Sequence, residues 1–186
     1  VRRKIELLRV KDKTSVEAYL VTLSQNHVND FNNLWLEQLR KFKQEDKYWD
    51  WLFKLNFISK QNNYEGYAIE CENQTQGLMM IETQMHGSWI KTGKRVIYIE
   101  GIASAPSNRV QIKNLPMFRG VGTALLKFAR IRSVELGYEG RIGLHSLPEV
   151  EKFYENQNMI NCGRDDDEDL VYFEYPPLNK NQYNKD

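Results

Sequence analysis

Cysteine is scarce in this 186-residue sequence. Cys71 and Cys162 lie far apart, too few for a disulfide framework and without metal-ligand spacing. A reducing, cytoplasmic setting is the expectation. Long apolar runs are also missing: no stretch approaches the roughly 18 residues of a membrane helix, and no basic-then-apolar start marks a secretory signal. Charge of one sign is lacking too. Lys and Arg number 26 against 25 Asp and Glu, a net charge of +1, so no bulk field draws nucleic acid or an anionic membrane. Any anion recognition has to be local. There are no internal repeats and no linker. With 41% hydrophobic residues, the chain suits one domain with its own core, expected over residues 1–177. Residues 178–186, after Pro176-Pro177, are expected to be a tail.

What is present is a glycine-rich turn, Arg119-Gly120-Val121-Gly122-Thr123, running straight into an amphipathic pattern. Val121, Ala124, Leu125 and Phe128 follow the i, i+3, i+4, i+7 spacing of one helical face, so the glycines sit at a helix N-terminus. Such an end carries unpaired N–H groups and a partial positive charge, and receives anions, phosphate above all. A Walker loop needs Lys and then Ser or Thr after its second Gly, whereas Thr123-Ala124 follow Gly122. A dinucleotide fold needs G-x-G-x-x-G close behind its strand, and this turn lies well beyond the strand ending at Ser104. From the glycines alone, an anion site and a helix start that merely needed small residues both stay open.

The rest of the chain supplies a strand near Lys4–Val10 and a segment, Ser15–Leu23, readable as helix or strand. Phe31, Leu34, Trp35, Leu39 and Phe42 have helical spacing, with Asn29 or Asp30 as N-cap. Tyr48 to Leu55 forms a second, aromatic helix, either buried or a wall for a ligand or partner. Gly66–Glu72 and Gln76–Gln84 alternate around Asn73-Gln74-Thr75 as a hairpin, and Arg95–Ser104 is a third antiparallel strand. The connection from Ala105 to Phe118 is long for a loop, a feature that more often signals function. Gly137 is placed as a C-cap, Arg141–His145 as a strand, Pro148 as a helix start, and Asn158 as a left-handed stop. Met159–Cys162 and Leu170–Tyr175 close as a strand pair around Asp165-Asp166-Asp167-Glu168-Asp169. This acidic run lacks the D-x-D-x-D-G pattern of a calcium loop, and no metal site is expected.

This order, together with three motifs, resembles the GNAT superfamily of acyl-CoA-dependent N-acetyltransferases. Met117 to Leu126 is similar to the family's pyrophosphate turn, Ile102-Ala103-Ser104-Ala105-Pro106 to the end of its central strand, and Phe153-Tyr154-Glu155-Asn156 to its F-Y-E-K run. Two positions depart from the pattern: Met117 stands where Arg or Gln is usual, and Leu147 where many members have Asn. The resemblance implies an α/β (α+β) fold, a mixed, mostly antiparallel central sheet flanked by helices on both faces. It implies acetyl-CoA as cosubstrate, its pyrophosphate held by Arg119, Gly120, Val121, Gly122 and Thr123 and its pantetheine arm paired with Ile102, Ala103 and Ser104 in strand addition.

The implied reaction is acetyl transfer to a primary amine by direct attack on the thioester. An alkyl ammonium must first lose a proton, and the departing thiolate needs an O–H donor. Tyr154 matches the family position for that donor. Glu100 is the first candidate for the base, with Glu82 and His145 behind it; histidine titrates near neutrality. His27 and His86 show no partners in the sequence. The acceptor is expected to be a small-molecule or peptide amine, with no nucleic-acid or membrane partner, and dimers are common enough in the family to make a homodimer an expectation. A non-catalytic acyl-CoA-binding or protein-interaction module on the same fold is the alternative.

Overall fold

The computed structural model describes residues 1–178; the expected tail beyond Leu178 lies outside the described residues. One nine-stranded sheet runs in the order β6-β1-β2-β3-β4-β5-β7-β9-β8. The strands are β1 (Arg2–Arg9), β2 (Thr14–Thr22), β3 (Tyr64–Cys71), β4 (Gln74–Glu82), β5 (Ile97–Ser104), β6 (Phe118–Arg119), β7 (Ile142–Ser146), β8 (Ile160–Asp165) and β9 (Leu170–Tyr175). β5 and β7 run parallel; the β1–β2, β1–β6, β2–β3, β7–β9 and β8–β9 ladders are antiparallel. By compactness the chain divides into two units: residues 1–80 with 101–125, and 81–100 with the chain from 126 onward.

In the first unit, the segment left open as helix or strand is β2. Its Val, Thr and Tyr content suits a pleated surface, and it folds back on β1 with Arg9 opposite Thr14. The helical region begins earlier than expected. The cap is Ser24 rather than Asn29 or Asp30, because His27 occupies the third helical position and its Nδ1 accepts the Ser24 N–H at 2.9 Å, closing a capping box. The other His27 nitrogen, Nε2, lies 2.9 Å from Glu70, so this histidine does have partners. Asp30 instead accepts from the Thr75 N–H and hydroxyl at 3.0 and 2.6 Å. Helix α1 (Gln25–Asp30) continues through a π-helical turn (Phe31–Trp35) into α2 (Leu36–Lys41). The turn's wider winding sets Phe31 and Trp35 on one side, ring centroids 5.6 Å apart.

The aromatic helix, α3 (Trp51–Ile58), starts three residues later than predicted, because Asp50 caps it by accepting the Phe53 N–H at 2.9 Å. It is both core and surface: Trp51 is buried, while Tyr48 before it and Phe53 are 75% and 63% exposed. Trp51, Phe31, Trp35 and Val28 pack with Leu78, Met80 and Ala103. Gly77, one residue from Leu78 and so on the other side of the sheet, faces Val121 and Leu125 of α4 (Val121–Glu135). A Cβ there would meet Val121 Cγ1 at 2.7 Å. Helices thus cover both faces of the sheet in this unit. The β3–β4 hairpin turns through Glu72 and Asn73, both at positive φ, one residue ahead of the predicted turn.

In the second unit, Gly137 and Asn158 take the left-handed conformations expected of them, φ +80° and +61°. Ser133, buried on α4, donates to the Arg141 carbonyl at 2.7 Å, and Tyr154 of α5 (Glu151–Asn156) packs against Phe173 of β9. Asp165 ends β8 instead of lying in the acidic loop.

Candidate active site

The glycine turn in the first unit is built almost wholly from backbone. Gly120 has φ +95°, a conformation L side chains rarely adopt, although only Leu7 lies within 4 Å of a Cβ added there; conformation rather than space demands glycine. The turn is pinned by β6, an unpredicted strand pairing Phe118 and Arg119 with Arg9 and Leu8. At Met117 the backbone does the holding: its carbonyl accepts from Val10 N–H at 3.0 Å and its N–H donates to Ser107 at 2.8 Å. Val121 and Leu125 are buried, while Arg119, Gly120 and Thr123 are exposed. The helix therefore roots Val121 and Leu125 in the core while Gly120 and Thr123 stay at the surface.

The long connection before this turn is ordered by side chains. Arg109 pairs with Asp46 through both terminal nitrogens, with Nη1 2.9 Å from Oδ1, and donates twice to the Ser104 carbonyl, at 2.9 and 2.8 Å. Asn108 donates to Gln76 at 2.9 Å and accepts from the Phe118 N–H at 3.0 Å. The carbonyl ending β5 and the start of the glycine turn are thus held by consecutive residues. Within the same unit, Trp49 lies over Gly101 of β5, its Cζ3 3.3 Å from an added Cβ. Ala103 is buried, while Ile102 and Ser104 are half-buried.

The second unit carries a different site, an open cleft of about 330 Å³ lined by residues including His86, Trp89, Tyr98, Glu100, His145 and Asp165. Tyr98 and Glu100 are two apart on β5 and share a face. Among the described residues the β5–β7 ladder holds the pairs Ile97–Ile142 and Tyr98–Gly143. Tyr98 Oη lies 2.8 Å from His145 Nδ1, and His145 Nε2 lies 2.9 Å from Asp165 Oδ2. The His86 ring stacks on Tyr98 at 4.1 Å, and Trp89 stacks on Tyr172 at 4.5 Å. Two buried carboxylates hold the loop that brings these rings in. Glu82 accepts from the Gln84 and Met85 N–H groups at 2.7 and 2.8 Å and pairs with His86 Nδ1 at 3.0 Å. Glu174 accepts from the Ser88 hydroxyl and, at 2.8 Å, the Trp89 N–H. His86, unpartnered in the sequence reading, is thus fixed on two sides.

Tyr154 is 5% exposed and packed edge-on to Phe153. Burial pushes its phenol well above the usual tyrosine range, so it keeps its proton. Among the described residues no hydrogen-bond partner meets its hydroxyl. Sequence reasoning singled out Glu100, His145 and Tyr154 but passed over Tyr98, Trp89 and Asp165. The i, i+2 relation of Tyr98 to Glu100 was a usable signal; Asp165 had none, because the β7-β9-β8 order brings it to His145.

No family model matches the sequence, and no curated protein matches it. Solved structures do. The chain superposes on the GNAT domain of S. lividans PAT with a TM-score of 0.59 at 14% identity, covering 95% of this chain and 97% of that one. It is similar to the Bacillus subtilis N-acetyltransferase YlbP, solved with coenzyme A, at 0.55 and 18%, covering 86% and 97%. It is likewise similar to the PaiA N-acetyltransferase of Thermoplasma acidophilum, also solved with coenzyme A, at 0.56 and 11%, covering 84% and 97%. The fold is that of the GNAT acetyltransferases. Among the described residues no helix is long and apolar enough to cross a membrane.

Proposed function

We propose that this chain is an acetyl-CoA-dependent N-acetyltransferase acting on a primary amine, with residues 1–177 as one catalytic domain. The observation that carries the reading is the glycine turn: a left-handed, exposed Gly120 opening α4 in a GNAT fold. Gly120, Val121, Gly122 and Thr123 fit an anion the size of a pyrophosphate, and the exposed Arg119 precedes them in the chain. The backbone of Ile102, Ala103 and Ser104 is suited to pair with the pantetheine arm. When bound, acetyl-CoA supplies the activated acyl group; the protein's part is to orient it and to handle two protons.

For the leaving thiolate the donor is Tyr154, protonated because it is buried. The amine's proton goes to a base in the cleft. Glu100 lines that space. Glu82 is the weaker candidate, because its carboxylate already takes two N–H groups and His86. The acceptor is a small molecule or peptide bearing a cationic amine, which suits the acid-and-aromatic lining. Both cysteines are free thiols, in keeping with a cytoplasmic enzyme, and the exposed edge strand β8 is where a homodimer could form.

The test is thiol release from acetyl-CoA with a panel of amines, alongside calorimetric binding of acetyl-CoA. Binding with turnover supports the reading. Binding without turnover on any amine favours a non-catalytic acyl-CoA-binding module, and no binding removes both.

A further inference from the structure

The second-unit cleft contains a hydrogen-bonded chain that runs through His145. His145 has both ring nitrogens committed, Nδ1 to Tyr98 Oη at 2.8 Å and Nε2 to Asp165 Oδ2 at 2.9 Å. The carboxylate can only accept, so Nε2 carries the hydrogen, Nδ1 is the acceptor, and the Tyr98 hydroxyl donates to it. The tautomer is therefore set by Asp165, and what Tyr98 offers the cleft is an oxygen lone pair. His145 has no nitrogen left for a ligand and can act only through Tyr98.

We propose that Tyr98, His145 and Asp165 form a relay that takes the proton from an ammonium group bound in the cleft. The ammonium N–H donates to Tyr98 Oη. As its proton moves to that oxygen, the phenolic proton moves to His145 Nδ1, leaving a neutral amine, a neutral Tyr98 and an imidazolium facing Asp165. The imidazolium later returns the proton to solvent. No electron transfer or co-reactant is involved. Tyr98 is the group that touches the substrate; His145 and Asp165 are positioning residues that act through it.

The surroundings keep Tyr98 as a neutral link in the relay. Burial and the nearby Glu100 push the Tyr98 phenol upward, so it passes a proton on rather than resting as phenolate. The charged and titratable groups facing His145 are Tyr98 from β5, Asp165 from β8 and Tyr172 from β9, whose ring centroid is 5.1 Å away; His86, Glu100, Asp167 and Glu168 share the cleft. Acids outnumber bases there, which suits a cationic ligand. Trp89, 6.3 Å from His145 and stacked on Tyr172, supplies an aromatic face to the same cation.

The inference rests on the acetyltransferase reading, and the experiment separates the two. The pH dependence of kcat is measured at saturating acetyl-CoA, with phenethylamine, 1,4-diaminobutane and a lysine-containing dipeptide as acceptors. The wild type is expected to lose rate as pH falls, because an imidazolium cannot accept. Tyr98→Phe, which keeps the ring stack, and His145→Gln should each lower kcat by about 10- to 100-fold and abolish that acid limb, with acetyl-CoA affinity unchanged. Nitrogen-15 NMR should show His145 as the Nε2–H tautomer in the wild type and not in Asp165→Asn, a readout independent of turnover. An unchanged acid limb in both Tyr98→Phe and His145→Gln overturns the relay and leaves the base to Glu100 or Glu82. Acetyl-CoA binding without thiol release on any of the three acceptors also overturns it, while absence of acetyl-CoA binding brings down the underlying reading with it.

Discussion

The glycine turn and the cleft are made of different materials. The turn is a backbone object: a left-handed glycine, a two-residue strand and the first N–H groups of α4, with Met117 engaged through its main chain. The cleft is a side-chain object, in which rings stack on rings and each histidine nitrogen described above meets a named partner. A backbone site tolerates side-chain change and fails when a conformation is forbidden. A side-chain site fails one group at a time and can be retuned by single substitutions. In the proposed enzyme the common cosubstrate falls to the first kind and the variable acceptor to the second.

The harshest way to break this comparison is Gly120→Asp. At φ +95° a side chain costs about 1–2 kcal/mol in folding stability, and the carboxylate sets a negative charge where an anion is to sit. Calorimetry should show acetyl-CoA affinity reduced about 100-fold or more, with the cleft unaffected by NMR. Asp46→Asn tests the support beneath the turn. It leaves Arg109 half-paired and largely buried beside the Ser104 carbonyl, and should cost about 3 kcal/mol of stability in a denaturant titration.

In the second unit Tyr154→Phe is the corresponding single-group change. With the ring retained and the hydroxyl removed, kcat should fall by about 10- to 100-fold while KM for acetyl-CoA holds. Burial raises this phenol, so the proton persists as pH rises, and kcat should show no alkaline limb from it below about pH 10. Stability carries the opposite sign. Tyr98, Tyr154 and Tyr172 are all raised by burial, whereas an unfolded tyrosine ionises near ~10. Above that pH the unfolded state binds fewer protons, so stability should begin to fall at about pH 10 and keep falling as pH rises further toward the raised folded-state values, measurable as a drop in denaturant midpoint.

The same division explains what was legible in the sequence. Gly137 and Asn158 are local signals in which one residue's conformation is the message, and the Val121–Phe128 stripe is a local period; Gly120 reads in the sequence as a small residue at a helix start, whereas its left-handed conformation is what demands glycine. The Glu72-Asn73 turn falls one residue ahead of the expected one because both positions are non-glycine residues at positive φ. The start of α1 was misplaced because the third position of its capping box is His27, where Glu or Gln is the usual cue. β6 is two residues long and exists only through Leu8 and Arg9. The cleft was least legible: Tyr98, His145 and Asp165 meet through strand order, and no local pattern announces that a residue in an acidic run will face a histidine twenty positions earlier.

Arg119→Ala is the mildest change and the sharpest test of the backbone account. Arg119 is exposed and pairs with Leu8 of β1 through its main chain, so removing its side chain leaves β6, Gly120 and the first N–H groups of α4 in place. What is lost is one guanidinium near the proposed pyrophosphate. In a solvent-screened position it should contribute less than about 1.4 kcal/mol, or under tenfold in affinity. Its effect should also shrink with added salt, since exposed charges are screened within about 10 Å at 0.1 M. Calorimetry at low and high salt reads both. A loss well beyond tenfold, or one indifferent to salt, would mean that Arg119 replaces the missing Arg or Gln at Met117 as a principal ligand, and the turn would then be a side-chain site like the cleft.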